Sequence, residues 1–350
     1  KDTSGNEITS ITGLTHKTVT DGKGASISGF DITTKGGVIT LFDNREITAN
    51  PTKTEEWNIT VTFVNYNANQ TGNAGKSFNA KLIIQQESQS NQTLLADYVI
   101  SQYTGTQGDN ALYYHNSTLT NGAGDNSYRY AGASDSVNNY ICLGSDATTC
   151  PDANLFRIIG VFGDQTKVIR AKSVGNQKWD TNNSNTWASS SLNTYLNGTY
   201  LTSLGTLAEK IATTTWKVGG GAYANISQSV PKTAYQYEVG SSASTTTVDK
   251  KIGLMYVSDY GYAADQSGWT TKLSSYSSNT SKNWLYLGSY EWTISRDSGT
   301  TNYAFYVRGT GSVDVYSATI SYAVRPSFNL ESSVKYVSGS GSMSDPIIIE

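Results

Sequence analysis

Side chains that could perform catalysis are sparse in this sequence. It has only two histidines, His16 and His115, and no His-Glu-x-x-His motif, so a zinc catalyst would lack ligands. Neither a Gly-x-Ser-x-Gly elbow nor a phosphate-binding glycine loop occurs. The carboxylates Asp259, Asp265 and Glu291 could work in pairs, but no spacing singles them out. We therefore predict that the protein is not an enzyme and that it holds no metal and no cofactor.

The stretch from Trp292 to Leu330 has chemistry of another kind. Small or apolar residues in it alternate with large polar ones: Phe305, Val307, Gly311, Val313 and Val315 stand between Tyr306, Arg308, Ser312, Asp314 and Tyr316. A period of two places the two sets on opposite faces of a strand. One face would pack on a core, and the other would present aromatic, hydroxyl and charged groups to a partner.

This composition is typical of a binding surface. Tyrosine supplies rigid, amphipathic contact area at low entropic cost, while Ser, Thr and Gly adapt hydrogen bonds. For any single tyrosine, ordinary packing on a sheet is the alternative interpretation. The predicted ligand-binding residues are Tyr306, Arg308, Thr310, Ser312, Asp314, Tyr316, Ser317, Thr319, Ser321 and Tyr322, with Asp297, Ser298, Thr300 and Thr301 along the edge.

The composition narrows the class of partner. Only 15% of the 350 residues are charged, and the net charge is -3. Nucleic-acid binding needs clustered Lys and Arg, which this sequence lacks. The low charge, with 24 Tyr and 33 Gly, is typical of extracellular β-rich proteins. The chain begins at Lys1, so we expect that a leader or anchor was removed, and no apolar run long enough for a membrane span occurs.

The two cysteines, Cys142 and Cys150, lie eight positions apart. Such a pair in a chain of secreted character predicts a disulfide that staples a local loop. The alternative is a pair of buried thiols.

The hydrophobic patterns divide the chain into three parts. Residues 1–87 contain alternating runs at 37–42, 57–64 and 78–84, which predict an immunoglobulin-like β-sandwich that serves as a stalk or polymerisation module. Residues 88–125 read as a linker with a short helix at 94–103. Residues 126–350 combine many short strands, few helices and long loops, which predicts an α+β domain.

Within the last part, the sequence predicts six local features. Gly163-Asp164 lies between two apolar runs and predicts a hairpin. A helix is expected from 190 to Gly198, and another at 201–211. Glu291 is expected to be a buried anchor, and Arg325-Pro326 to end the sheet ladder with Arg325 paired to a core carboxylate. The final strand at 346–350 could close its own sheet or pair with a neighbouring molecule.

Five segments, at 154–162, 252–263, 284–287, 291–296 and 323–330, resemble bacterial surface proteins that carry a C-type-lectin-like domain. This family is related in fold to formylglycine-generating enzymes. The resemblance covers about residues 126–350 and implies a C-type-lectin-like ligand-binding domain. The related enzymes use a late cysteine pair, and no cysteine follows Cys150 here. The calcium-binding Glu-Pro-Asn, Gln-Pro-Asp and Trp-Asn-Asp motifs of lectins are also absent, so binding is expected to be independent of metal.

Some proteins of this fold are variable proteins of diversity-generating retroelements. Their mutagenesis acts on adenines, mostly in AAC codons, and cannot create Lys, Glu, Gln, Trp or Met. Residues 296–330 contain none of these five types. A β-rich surface of Tyr, Ser and Gly would show part of the same bias, which is the alternative explanation.

These observations predict a non-enzymatic protein, secreted or anchored at the bacterial cell surface, that binds a protein or glycan through a face that a retroelement could diversify. The alternative is a structural subunit of an extracellular filament, for which self-assembly would be expected.

Overall fold

The structure is a computed structural model. It describes residues 10–11, 14–32, 60–66, 69–73, 93–145 and 149–350. The chain divides into two compact units, Lys1–Ser90 and Asn91–Glu350. Most of the regular structure in the described residues is β-sheet, distributed over several sheets with few helices. The β-rich character that the sequence predicted is therefore confirmed.

The first unit contains an antiparallel hairpin of β1 (Thr15–Thr20) and β2 (Ser26–Asp31). Its turn is fixed by Asp21, whose Oδ1 accepts the backbone N–H groups of Lys23 and Ala25 at 2.9 and 2.7 Å. Among the described residues of this unit, a 3-10 turn also occurs at Thr71–Asn73.

Two of the strands predicted for this unit, at 37–42 and 78–84, lie outside the described residues. The described part of the third, residues 60–64, belongs to no strand ladder. The strand predicted at 57–64 stays a prediction, because the other strands predicted for this unit lie outside the described residues. The immunoglobulin-like sandwich stays a prediction.

The second unit contains fifteen described strands in three sheets. They are β3 (Leu112–Tyr114), β4 (Tyr128–Tyr130), β5 (Tyr140–Cys142), β6 (Leu155–Phe162), β7 (Gln165–Arg170), β8 (Asn176–Lys178), β9 (Thr214–Lys217), β10 (Thr247–Lys250), β11 (Glu291–Arg296), β12 (Tyr303–Val307), β13 (Val313–Ser317), β14 (Ser321–Ala323), β15 (Ser327–Asn329), β16 (Tyr336–Ser338) and β17 (Ile347–Ile349).

Its helices are short. The α-helices are α1 (Leu95–Ser101), α2 (Ser191–Tyr195), α3 (Leu201–Ser203), α4 (Tyr223–Ile226), α5 (Pro231–Glu238) and α6 (Val257–Tyr262), and a π-turn at Leu196–Tyr200 joins α2 to α3. Segments of 3-10 helix occupy Asp109–Ala111, Trp187–Ser189, Gly205–Lys210, Gln266–Thr270 and Leu273–Lys282. None of the helices in the described residues has the length and apolar character needed to cross a bilayer.

An eight-stranded sheet is built around the β6–β7 hairpin, which turns at Gly163 as predicted. The sheet order is β15-β7-β6-β5-β17-β16, and β4, with β3 beside it, also pairs with β6. Seven of the eight β6 residues are buried, because this strand lies in the middle of the sheet.

A five-stranded sheet has the order β13-β12-β11-β14-β8. The stretch predicted as one displayed strand forms two of its strands, β12 and β13, which pair antiparallel. Tyr306 pairs with Asp314 and Val307 with Val313, so the predicted division into two faces is retained across the hairpin. β9 and β10 form a separate two-stranded sheet.

The core of the second unit includes residues of the segment predicted as a linker. Leu95 and Val99 on α1 are fully buried in the same cluster as Phe156 and Ile158 of β6. The face of α1 that carries Leu95 and Val99 therefore packs against the sheet, and α1 is not a free linker helix. The domain boundaries 1–87, 88–125 and 126–350 stay predictions, although the residues from 93 onward pack with the second unit.

The two ends of the second unit meet at β16. Leu95 N donates to Val334 O at 2.8 Å, and Tyr336 N donates to Thr93 O at 2.9 Å. On its other side β16 pairs with β17. The C-terminal strand therefore closes its own sheet, which decides between the two alternatives left open by the sequence.

Three local predictions have clear outcomes. Cys142 and Cys150 form a disulfide, which confirms the predicted pair. The helix capped by Ser190, whose Oγ accepts the Asn193 N–H, does not end at Gly198 but continues through the π-turn into α3. Only the first three residues of the helix predicted at 201–211 are α-helical.

Two buried ionic groups connect elements that are distant in sequence. Arg325 donates to both carboxylate oxygens of Glu291 at 2.6 and 2.8 Å, and to the Leu285 carbonyl at 2.5 Å. Burial raises the pKa of Glu291, and the charge of Arg325 opposes this rise. The predicted pairing of Arg325 with a core carboxylate is confirmed. In the second group, Lys167 on β7 donates to Asp259 on α6 at 2.6 Å.

We predict that Arg325→Met lowers the free energy of unfolding by roughly 3–5 kcal/mol, because it leaves the buried Glu291 carboxylate without a partner. The double variant Glu291→Met/Arg325→Met should recover most of this loss. Urea unfolding followed by tryptophan fluorescence measures both.

The matched control is Lys172→Met, which breaks the exposed pair of Lys172 with Asp152 and should change stability by less than about 1 kcal/mol. If Arg325→Met cost no more than this control, the buried pair would not organise the fold.

Candidate binding face

The turn between β12 and β13 is anchored to the body of the unit. Arg308 N donates to Ser312 O and Gly311 N to Arg308 O, both at 2.8 Å. Gly311 has a φ of +92°, and a Cβ at this position would lie 2.3 Å from the Thr280 side chain. Tyr260 Oη also donates to the Gly311 carbonyl at 2.8 Å. Only glycine fits this close approach, so the hairpin is held in one position.

One face of the five-stranded sheet carries a cluster of aromatic rings, which we call the aromatic face. Its members are Tyr290, Trp292, Tyr303, Tyr306, Tyr316 and Tyr322. They come from β11, β12, β13, β14 and the residue before β11. The order of the sheet brings them together, because β11 lies between β12 and β14.

Tyr306 lies at the centre of the aromatic face. Its ring centroid is 4.8 Å from that of Tyr322, 5.9 Å from those of Tyr290 and Trp292, and 6.4 Å from that of Tyr316. Only 3% of Tyr306 is exposed. The prediction that Tyr306 is a surface contact was therefore wrong, because neighbouring tyrosines cover it on the outer side of the sheet.

The outer rings of the aromatic face remain accessible. Tyr290 and Tyr316 are each 49% exposed and Tyr303 is 38% exposed. Tyr290 stacks on Tyr322 with centroids 5.2 Å apart and ring planes 20° apart. The face thus has a buried layer of Trp292 and Tyr306 beneath an exposed layer of tyrosines.

A charged pair lies on the same face. Arg308 donates through both Nε and Nη2 to the Asp314 carboxylate across the hairpin. The hydrogen bond with Asp314 raises the pKa of Arg308, with the carboxylate charge adding to the effect. Because the two side chains neutralise each other, the face has little local net charge.

Hydroxyl groups border the face at the end of β13. Ser317 Oγ donates to Asn183 Oδ1 at 2.9 Å and lies 2.9 Å from Thr319 Oγ1. Ser321 is exposed at the start of β14. Thr310, which is exposed, and Ser312, which is half-buried, lie in the turn beyond Arg308.

The four predicted edge residues lie together in one loop, away from the turn between β12 and β13. Asp297, Ser298, Thr300 and Thr301 occupy the connection from β11 to β12, at the opposite end of β12 from the turn. Asp297 is 5% exposed, and its Oδ1 accepts the N–H groups of Tyr223 and Gly299 at 3.2 and 3.0 Å. The prediction that Asp297 lines the site was wrong, because this buried carboxylate accepts backbone N–H groups from its own loop and from the start of α4. Ser298 and Thr301 are exposed, and Thr300 is half-buried.

Two tyrosines of the aromatic face were missed from the sequence. Tyr290 stands two positions before Trp292, and Tyr303 begins β12. The period of two that placed Tyr306 and Tyr316 together also places Tyr290 on the side of Trp292. This signal was available, but the stretch was taken to start at Trp292.

Two tyrosine hydroxyls of the face, those of Tyr306 and Tyr322, are neutral near pH 7. Burial raises the pKa of Tyr306, and it also raises the pKa of Tyr322. They can therefore donate as well as accept hydrogen bonds. Among the described residues, no cluster of His, Cys, Asp and Glu could hold a metal ion.

Comparison with known families gives one match. A model described as a domain of unknown function, DUF6273, matches residues 163–332. The aromatic face lies within this match. No curated protein and no solved structure matches the chain.

We predict that Tyr306→Ala lowers the free energy of unfolding by about 3 kcal/mol or more, because it opens a cavity under the exposed rings. Tyr316→Ala should cost less than about 1 kcal/mol, because half of this side chain is already exposed. Thermal or urea unfolding compares the two variants. Equal losses of unfolding free energy in the two variants would contradict the division of the face into a buried and an exposed layer.

Proposed function

We propose that this is a non-enzymatic binding protein, secreted or anchored at a bacterial cell surface, whose aromatic face contacts a protein or glycan ligand. The observation that carries the proposal is the exposure of Tyr290, Tyr303 and Tyr316 beside the Arg308–Asp314 pair on a well-packed sheet. Tyrosine and arginine are the residue types most enriched at binding hot spots.

The rigidity of the platform supports this function. The hairpin that bears Arg308, Asp314 and Tyr316 is fixed at its turn by Gly311 and along its length by the β11–β12 ladder. Binding would order few additional groups, so less of the contact energy would be lost to conformational entropy.

The extracellular location is supported by the Cys142–Cys150 disulfide, because such bonds persist in oxidising compartments. We propose further that the second unit is a C-type-lectin-like head and that the first unit is an immunoglobulin-like stalk. The short strands, scarce helices and long connections of the second unit support this assignment of the head.

A filament subunit is the second candidate from the sequence. One way to build such a filament is for the C-terminal strand to pair with a neighbouring molecule, but β17 already pairs on both sides, with β5 and β16. The aromatic face therefore has the stronger claim to function.

Ligand binding is tested with the triple variant Tyr290→Ser, Arg308→Ala, Tyr316→Ala. Immobilised wild-type protein is screened against printed glycans and purified bacterial and host surface proteins. We expect the triple variant to lose at least about 30-fold in affinity for any ligand found, since a hot-spot residue contributes about 2 kcal/mol. Its melting temperature should stay within a few degrees of the wild type.

The matched control is Val337→Ala, Met343→Ala, which removes exposed apolar side chains that are not on the aromatic face. It should bind as the wild type does. If the triple variant kept full affinity, or if purified protein formed extended polymers and bound nothing, the proposal would be refuted.

We also propose that residues 296–330 are diversified by a retroelement. The absence of Lys, Glu, Gln, Trp and Met from this range supports the idea. The expected finding is a second, near-identical copy of these codons that differs at adenines and lies near a reverse-transcriptase gene. Genome sequence around the coding region tests it, and the lack of such a copy would leave an invariant binding face.

A further inference from the structure

The second unit contains a cavity that shares no lining residue with the aromatic face. Its volume is about 580 Å³, and its walls come from α1, the segment that leads into β3, the end of β4 and the C-terminal region. We call it the lead-in cavity. Pockets for small ligands commonly measure roughly 300–1,000 Å³, so this one is large enough for a compact organic molecule.

Three tyrosines, Tyr98, Tyr113 and Tyr130, line the lead-in cavity. Tyr130 is 3% exposed and lines the cavity, and burial raises the pKa of its phenol, so the hydroxyl is a neutral group that can donate or accept a hydrogen bond. A ligand that supplied a partner for this hydroxyl would gain a hydrogen bond.

Two residues of opposite charge line another part of the cavity wall. Asp265 and Lys282 both line the cavity, and Asp265 N donates to the Lys282 carbonyl at 2.8 Å, which fixes the two residues beside each other. Asp265 is held by the Ser267 N–H at 2.9 Å. Burial, with a smaller effect of the Asp265 charge, raises the pKa of the Tyr113 phenol, so a neutral donor lies near a carboxylate acceptor.

The wall of the cavity is preformed. Ala131 N donates to Ala111 O at 2.9 Å, and Gly132 N donates to Ala263 O at 3.0 Å. Asn110 Nδ2 donates to Gln102 O at 2.8 Å, which ties the loop before β3 to the end of α1. A ligand would therefore enter a site that already has its shape.

The lining chemistry separates the possible classes of ligand. An apolar ligand would desolvate Asp265 and Lys282 without replacing their hydrogen bonds. A phosphate or other anion would meet one ammonium, that of Lys282, with the Asp265 carboxylate on the same wall. Sites for such anions use several donors or positive charges. Flat tyrosine rings with amide, hydroxyl and carboxylate groups between them match a ring that is apolar on its faces and hydroxylated at its edge.

We propose that the lead-in cavity binds a neutral, hydroxyl-rich ring, namely a mono- or disaccharide, through stacking on its tyrosines and hydrogen bonds to Tyr130 and Asp265. This site is distinct from the aromatic face and does not depend on the function proposed for that face.

The test is saturation-transfer NMR on the whole protein with glucose, galactose, N-acetylglucosamine, maltose, lactose and diacetylchitobiose as probes. We expect at least one to receive saturation. Tyr130→Phe removes one oxygen and should weaken that probe about fivefold, the effect of one hydrogen bond. Asp265→Asn keeps an acceptor for the Ser267 N–H and should weaken it by a similar factor, independently of whether Tyr130→Phe folds.

The matched control is Tyr322→Phe, which removes the same atom from the aromatic face and should leave sugar binding unchanged. Melting temperatures identify any variant that fails to fold. Absence of saturation for every probe would overturn the proposal. It would also be overturned if a bound sugar were insensitive to Tyr130→Phe and Asp265→Asn but weakened by Tyr322→Phe, since that sugar would occupy the aromatic face.

Discussion

The buried pair of Glu291 and Arg325 is the interaction on which the second unit depends. Arg325 stands between β14 of the five-stranded sheet and β15 of the eight-stranded sheet, where the chain passes from one sheet to the other. Glu291 begins β11, in the middle of the five-stranded sheet. Removing two charged groups from water costs free energy unless each group satisfies the hydrogen bonds of the other. The bidentate geometry meets this condition only when the two sheets are correctly placed, so the pair specifies their arrangement.

The aromatic face follows from that arrangement. Glu291 points into the core, so the next residue, Trp292, must point to the outer side of the same strand. Trp292 and Tyr306 then form a floor that the exposed tyrosines cover. The floor constrains any variation of this face, because a residue that replaced Tyr306 would have to fill the same volume. Part of the Tyr-rich composition of residues 296–330 therefore reflects packing and not contact with a ligand.

The sequence predicted what depends on local patterns. The Gly163 turn, the disulfide and the two-sided pattern of residues 305–316 each result from neighbours in the chain, and the structure contains all three. What the sequence could not supply depends on distant residues. The burial of Tyr306 results from Tyr290 and Tyr322, and that of Asp297 from Tyr223 on α4. The lead-in cavity is lined both by α1 and by residues near 340, and no local sequence pattern predicts that these distant segments lie together.

The meeting of the two ends of the second unit at β16 has a mechanical consequence. A pulling force applied between Thr93 and Glu350 would act on the short pairings of residues 93–95 with 334–336 and of Lys335 with Glu350. These hydrogen bonds would break before the force acted on β11, β12 or β13. The aromatic face thus lies outside the path of the load. If this unit were held at one end and pulled at the other, the aromatic face would stay intact while the ends separated first.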